Sequence, residues 1–319
     1  MAFTDANMDL LTRSELWSSE LKEVLQDDLN ATQWVRWLSD FPDGDTFTIP
    51  SIGEATVRDY VEDTDVTYDA MDTGEFQFTI TEYVSSGTYI TRKQMQDSFY
   101  AAQLMSRFVP YQRRAIEEKL ETDVLALANS QTTGNNNSIN GAEHRWAAGG
   151  ASESVALNDF ALAKYALKKA NVPLSSLVAI VDPSVGYELE TLTNIVNVSN
   201  NPQWEGLIET GMTTGMRFIK NIYGFDVWES NYLPTTTETI NDPDDNSTNF
   251  SSGNTPVVNI FFNAESGITP FVGAWRQMPV VDGEFNKDKQ REEYVTTARY
   301  GLALYRPENL VSVISRVNI

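Results

Sequence analysis

The side chains with the strongest claim to chemistry are few. His144 is the one histidine in a chain of 319 residues. It sits in a turn-rich segment, and no Gly-x-Ser-x-Gly elbow occurs anywhere in the sequence, so a serine nucleophile with an imidazole base has no parts to be built from. There is no cysteine, which removes disulfides, thiolate nucleophiles and thiolate metal sites together. Neither Gly-x-Gly nor Gly-Lys occurs, so the sequence draws neither a dinucleotide fingerprint nor a phosphate loop. Asp242, Asp244 and Asn246 have the first spacings of a calcium loop. Ser247 replaces its turn glycine, however, and Gly253 stands where the closing glutamate belongs. Paired carboxylates for glycoside hydrolysis are not singled out by any spacing. The expectation is a protein with no catalytic residue, no cofactor and no metal, and not an enzyme.

Forty-five Asp and Glu against 23 Lys and Arg give a formal charge of −22. Such a chain repels polyanions unless its bases cluster. The basic runs are no longer than pairs such as Arg113-Arg114 and Lys168-Lys169, so direct nucleic-acid recognition is disfavoured. No stretch reaches the roughly 18 apolar residues of a membrane span, and the N-terminus lacks the basic start and apolar middle of a signal peptide. A soluble chain without a membrane partner, made and kept in the cytosol, is expected.

The elements available to position side chains are mixed. Thr12 and Glu15 form a capping box ahead of Leu16, Trp17, Leu21, Val24, Leu25 and Leu29, which recur at helical spacing and predict a helix over 13–29. A second short helix is read over Thr32–Ser39, where Trp34 and Trp37 imply a packed contact within the subunit or with a neighbour. From Gly44 to Arg92 the pattern turns to strand. Phe76, Phe78 and Ile80 alternate with Glu75, Gln77, Thr79 and Thr81, giving one apolar face and one polar. Legs of roughly 20 residues at about 3.3 Å each would reach ~60 Å, three times the ~20 Å radius of gyration of a compact chain of this length. That apolar row is read as having no home inside its own fold, so it would be buried on another molecule.

A long helix follows within Thr91–Ser130. Phe108, Ile116, Leu120, Val124 and Leu127 form its stripe, with Arg113, Arg114, Glu117, Glu118, Glu121 and Asp123 outward. Pro110 marks a first-turn position or a kink. Residues 132–154 are turn-rich and read as a loop or domain boundary. An α+β body comes next: a helix from Asn158 to Ala170, the strand Leu177–Val181, a helix with Pro183 at its first position, and strands at Phe225–Ser230 and Val257–Phe262. An acidic loop over 236–256 holds no Lys or Arg. Glu293–Tyr305 and Val311–Val317 close the chain as two strands joined by a turn.

This order resembles the major capsid proteins of tailed double-stranded DNA bacteriophages, the Hong Kong 97 coat fold, of the short-tailed type. The most telling pieces are Gly44–Pro50, Gly224–Pro234 and Ala298–Glu308. The resemblance implies an N-terminal arm (1–43), an extended loop (44–92), a peripheral domain with a spine helix (93–150, with closing strands 276–319) and an axial domain (151–275). It implies a structural subunit that assembles with copies of itself into pentamers and hexamers of an icosahedral shell around double-stranded DNA, bound without sequence specificity. The virion would be its location, and the host cytoplasm before assembly. A portal would be a partner, and the absence of a long cleavable extension points to a separate scaffolding protein. Lys93 is the sole lysine between Gly44 and Arg107, so a shell held without covalent crosslinks is expected. Candidate inter-subunit contacts are Phe76, Phe78, Ile80, Arg58, Arg92, Trp34 and Trp37. Phe78→Asp is accordingly expected to spare folding and impair assembly. The competing readings are an acidic α+β hydrolase of a salt-adapted microbe and an oligomeric tail or surface component.

Overall fold

A computed structural model describes residues 29, 31–38, 46–53, 57–65, 68, 73–97, 101–134, 137–191, 218–242, 247–250 and 256–316. The predicted helix 13–29 lies outside them but for Leu29, as do Asp244 and Asn246.

In chain order, a 3-10 turn (Ala31–Trp34) leads to β1 (Arg36–Leu38), β2 (Thr46–Ile52), β3 (Thr73–Thr79) and β4 (Glu82–Thr91). Two helices, α1 (Arg92–Asp97) and α2 (Ala101–Ala126), are followed by a 3-10 turn (Leu127–Ser130) and the short strands β5 (Ser138–Ile139), β6 (Ala142–Glu143) and β7 (Arg145–Ala147). Then come α3 (Leu157–Lys169), β8 (Leu177–Val181), α4 (Pro183–Thr191), β9 (Phe218–Ile222), β10 (Phe225–Glu229), β11 (Thr239–Asn241), β12 (Ser247–Asn249) and β13 (Pro256–Asn263). The last strands are β14 (Phe271–Asn286), β15 (Arg291–Leu304) and β16 (Leu310–Arg316).

Two sheets organise the body. A mixed six-stranded sheet runs β7-β16-β13-β8-β10-β9, and a four-stranded sheet runs β1-β14-β15-β4. β8 and β13 are buried at every position. Continuous apolar strands of this kind are what a sheet covered on both faces requires. One face packs Phe160, Ala163, Leu167, Val185 and Leu189 of α3 and α4 onto Ala179, Val227 and Phe261. The opposite face takes Val124 and Leu125 of α2 with Trp34, Ile240 and Phe250. Asn259 fixes β13 from within: its Nδ2 donates to Ser315 Oγ at 2.8 Å and its Oδ1 accepts from Asp182 N at 3.0 Å.

Several sequence expectations change. Helix 32–39 is instead a turn and a strand, because Arg36–Leu38 pairs in parallel with Val272–Ala274 and Trp37 lies over Gly273. A Cβ at Gly273 would sit 2.8 Å from the Trp37 ring, so the site admits only glycine without displacing it. The arm is much shorter than predicted. Its ladder joins only Thr46–Ile52 to Thr73–Thr79, seven pairs spanning about 23 Å. Residues 82–91 leave the arm to pair with β15. Pro110 lies inside α2 and does not begin it. Ile116, Leu120 and Val124 are buried as the stripe predicted, and the side chain of Phe108 falls outside the description. The turn Pro307–Asn309 does join the two closing strands, and it carries the chain from one sheet to the other.

Candidate assembly interface

The arm is fastened to its own subunit by the residues predicted to leave it. Phe78 and Ile80 are almost wholly buried and pack on Val272 and Ala274 of β14. Phe76 is half-buried, with its ring edge-on to Tyr305 at 5.1 Å. The reading that this row awaits a second molecule is therefore corrected. β14 and β15 provide an apolar floor beneath the arm's base, and period-2 alternation cannot tell a floor within the chain from one outside it. Gly301 makes the fit possible. A Cβ there would lie 3.0 Å from the Cα of Ile80 and 3.2 Å from the carbonyl oxygen of Thr79.

The tryptophans are also internal. Trp34 is 9 % exposed and meets Trp228 and Phe262 edge-on, each at 5.7 Å. Trp37 stacks on Trp275 at 5.1 Å. Arg92 is exposed, and its guanidinium lies 5.4 Å over the Phe285 ring of the same chain, a cation–π contact.

Arg58, like Arg92, is exposed. It belongs to a segment beyond the ladder where Val57 is 96 % exposed and Tyr68 89 %, with Tyr60 and Val61 nearly as open. Asp59, Glu62, Asp63 and Asp65 surround them. The sequence places these residues in the extended loop, but residues 57–61 form no strand, and their spacing does not tell that they are left uncovered.

Charged groups within the body serve structure. Glu121, predicted to face outward, is fully buried and accepts the Ala31 N–H at 2.8 and 2.9 Å, tying the chain's entry to α2. Arg145 donates to Glu238 through Nη2 at 2.6 Å and Nε at 3.0 Å, and through Nη1 to the carbonyl of Ala128 at 3.3 Å. Burial alone would raise the Glu238 carboxyl, but hydrogen bonds from Arg145 and the Gly134 N–H hold it below the usual range. Asp159 is pushed up by burial, although Trp146 Nε1 and the Ala156 N–H both donate to it. His144 is fully buried, and desolvation lowers its pKa. Tyr300 donates to Asp123 at 2.7 Å, and burial drives its hydroxyl pKa well up. Among the described residues no group of three or more His, Cys, Asp or Glu is arranged to hold a metal ion, and no helix is long and apolar enough to cross a membrane.

No curated protein sequence matches the chain. Its architecture is shared with solved phage structures. A structure from Mycobacterium phage Che8 aligns at 18 % identity with a TM-score of 0.66, covering 94 % of this chain and 96 % of that one. The capsid structure of cyanophage P-SCSP1u aligns at 15 % identity and a TM-score of 0.70, covering 95 % and 92 %. The cyanophage Pam1 capsid asymmetric unit aligns at 13 % identity and 0.68, covering 99 % and 98 %. These likenesses give the fold, the α+β Hong Kong 97 coat fold. Residues 74–313 match the sequence profile described as phage capsid protein, Phage_capsid_4. That span runs from β3 of the arm into the closing strand β16, across both sheets and the long helix between them, and so the chain belongs to the phage capsid protein family.

Proposed function

We propose that copies of this chain close into pentamers and hexamers, and that these build the icosahedral shell of a tailed phage around double-stranded DNA. The observation that carries the reading is the arm's division of labour. Its base is anchored in its own subunit by Phe78 and Ile80, while its tip holds Val57, Tyr60, Val61 and Tyr68 in solvent. Apolar surface left in water forgoes about 25 cal/mol for each Å² that burial would recover. A rigid base with a greasy tip is suited to reaching a neighbour. A contact between tip and a different patch of the next copy is heterologous, and such contacts close into rings when the rotation permits.

The long-range ion pairs Arg145–Glu238 and Arg316–Glu153 and the buried Glu121 and Asn259 brace the fold, which supports a structural role. A portal and a separate scaffolding protein are the partners of this reading, and the chain passes from host cytoplasm to virion on assembly. The arm at 1–43, loop at 44–92, axial domain at 151–275 and peripheral domain at 93–150 with 276–319 are part of it, with one refinement. β7 and β16 fall in peripheral segments by number but pair within the six-stranded sheet. Negative-stain electron microscopy of the purified full chain, expressed with its scaffolding protein, tests the proposal. Closed shells are expected. Small soluble oligomers or open tubes alone would overturn it.

A further inference from the structure

Seven of the described cations of this acidic chain are answered by carboxylates of the same chain. Arg113 pairs with Glu117, Arg114 with Glu118, Lys119 with Asp123, Arg145 with Glu238, Arg291 with Glu293, Arg306 with Glu308 and Arg316 with Glu153. Helix α3 gathers three of the others, the half-buried Lys164 and the exposed Lys168 and Lys169, and among the described residues none of the three is in an ion pair. Lys164 Nζ instead donates to the carbonyl of Tyr223 at 2.9 Å, and Lys169 Nζ stands 5.9 Å over the ring of Tyr165. Tyr165 and Tyr223 are each about half exposed, at 51 % and 52 %. The one acid of the helix, Asp159, is fully buried on its inner side.

Lys168 and Lys169 occupy the last turn, where cations complement the helix dipole. That accounts for a charge there but not for Lys164, a turn earlier, nor for the two open phenols beside them. The patch offers ammonium and hydroxyl donors on a helix face without carboxylates. A protein partner presents donors and acceptors together, and lysine is depleted from protein interfaces. A phosphodiester backbone presents acceptors and negative charge only, and faces that bind it are enriched in cations.

We infer that the outer face of α3, through Lys164, Lys168 and Lys169, is where this subunit touches the phosphate backbone of duplex DNA, without reading sequence. The inference rests on the proposed shell function and names the contact through which the shell meets its contents. Three cations on an otherwise repelling subunit give a weak and salt-sensitive contact, one compatible with DNA being packed in and released.

The test uses the full chain as unassembled subunits and a fluorescein-labelled 24-base-pair duplex of mixed sequence, with anisotropy read from low to moderate salt. Three phosphate contacts predict a slope of log K against log salt of about −2.7, falling to about −0.9 in the Lys168→Gln, Lys169→Gln variant, with affinity at least ~10-fold weaker at low salt. The control variant Lys287→Gln, Lys289→Gln, altered in the turn between β14 and β15, is expected to bind as the parent does. Equal loss in the control, or no loss in the α3 variant, would overturn the inference. So would an α3 variant that binds DNA normally but no longer forms shells, since the face would then meet an acidic neighbouring copy. Normal shells from an α3 variant that has lost DNA binding support the inference. Failure of the parent itself to form shells counts against the proposed function and leaves the binding result readable on its own.

Discussion

Two buried ionisable residues set the sharpest expectations at the level of single side chains. Arg145 is fully buried against Glu238 and joins β7, the end of the long helix and the approach to β11. Removing one member of such a pair leaves the other charge desolvated, so Arg145→Ala should cost about 3–5 kcal/mol in chemical denaturation. The double change Arg145→Met, Glu238→Gln should recover most of that loss, because no uncompensated charge remains. His144 gives a pH dependence of definite sign. Burial holds its pKa below the ordinary 6.5, so the folded chain resists a proton that the unfolded chain accepts. Its contribution to stability is complete above that ordinary value and is lost as pH falls through the depressed one. Thermal unfolding of the parent should therefore shift down between pH 7.5 and 5.5 by more than that of His144→Gln. Equal shifts would remove His144 as the cause.

At the level of elements, the arm separates folding from assembly. Phe78 packs on β14, so Phe78→Ala should lower subunit stability by about 3–5 kcal/mol before assembly is considered. This replaces the expectation that an aspartate at Phe78 would spare folding. Substitution at the tip should do the reverse. Tyr60→Ser with Tyr68→Ser removes exposed rings, so the denaturation midpoint of the subunit should stay within experimental error while the yield of shells falls. Gly301→Ala probes the crossing of arm and sheet. The new methyl meets the backbone of Ile80 and Thr79, not a yielding side chain, and about 1–3 kcal/mol of destabilisation is expected. A neutral result would mean that the arm's base can slide on β15.

At the level of the whole molecule, two sheets share one chain through the turn Pro307–Asn309 and the long helix α2. That helix contacts both: Val124 and Leu125 pack under the six-stranded sheet, while Gln112 exchanges hydrogen bonds with Thr296 and Tyr294 of the four-stranded one. Such a strut lets a load applied to the arm or the outer sheet pass into the other sheet without bending a loop, which suits a wall under pressure. The net charge of −22 acts at the same scale. Like-charged copies repel, so shell formation should be favoured by added salt, whereas duplex binding through α3 should weaken with it. Light scattering and anisotropy across the same salt series would expose the opposite trends.

Elements dominated by local order were legible in the residues alone. β8 and β13 read as continuous apolar runs, α3 was read to within a residue of each end, α4 carried its start signal at Pro183, and Ile116, Leu120 and Val124 of the α2 stripe are buried. The coat-protein fold could likewise be read from residue types and their order. What the tertiary structure decided was partnership across distance. Period 2 told that Phe76, Phe78 and Ile80 share a face, but only the approach of β14, some 200 positions further along, made that face internal. Glu121 looked like one more outward acid until Ala31 came within reach of it, and the closing strands, read only as joined by a turn, each belong to a different sheet. Sequence spacing specifies which side chains point together; what they point at depends on segments far away in the chain, and those meet only once it has folded.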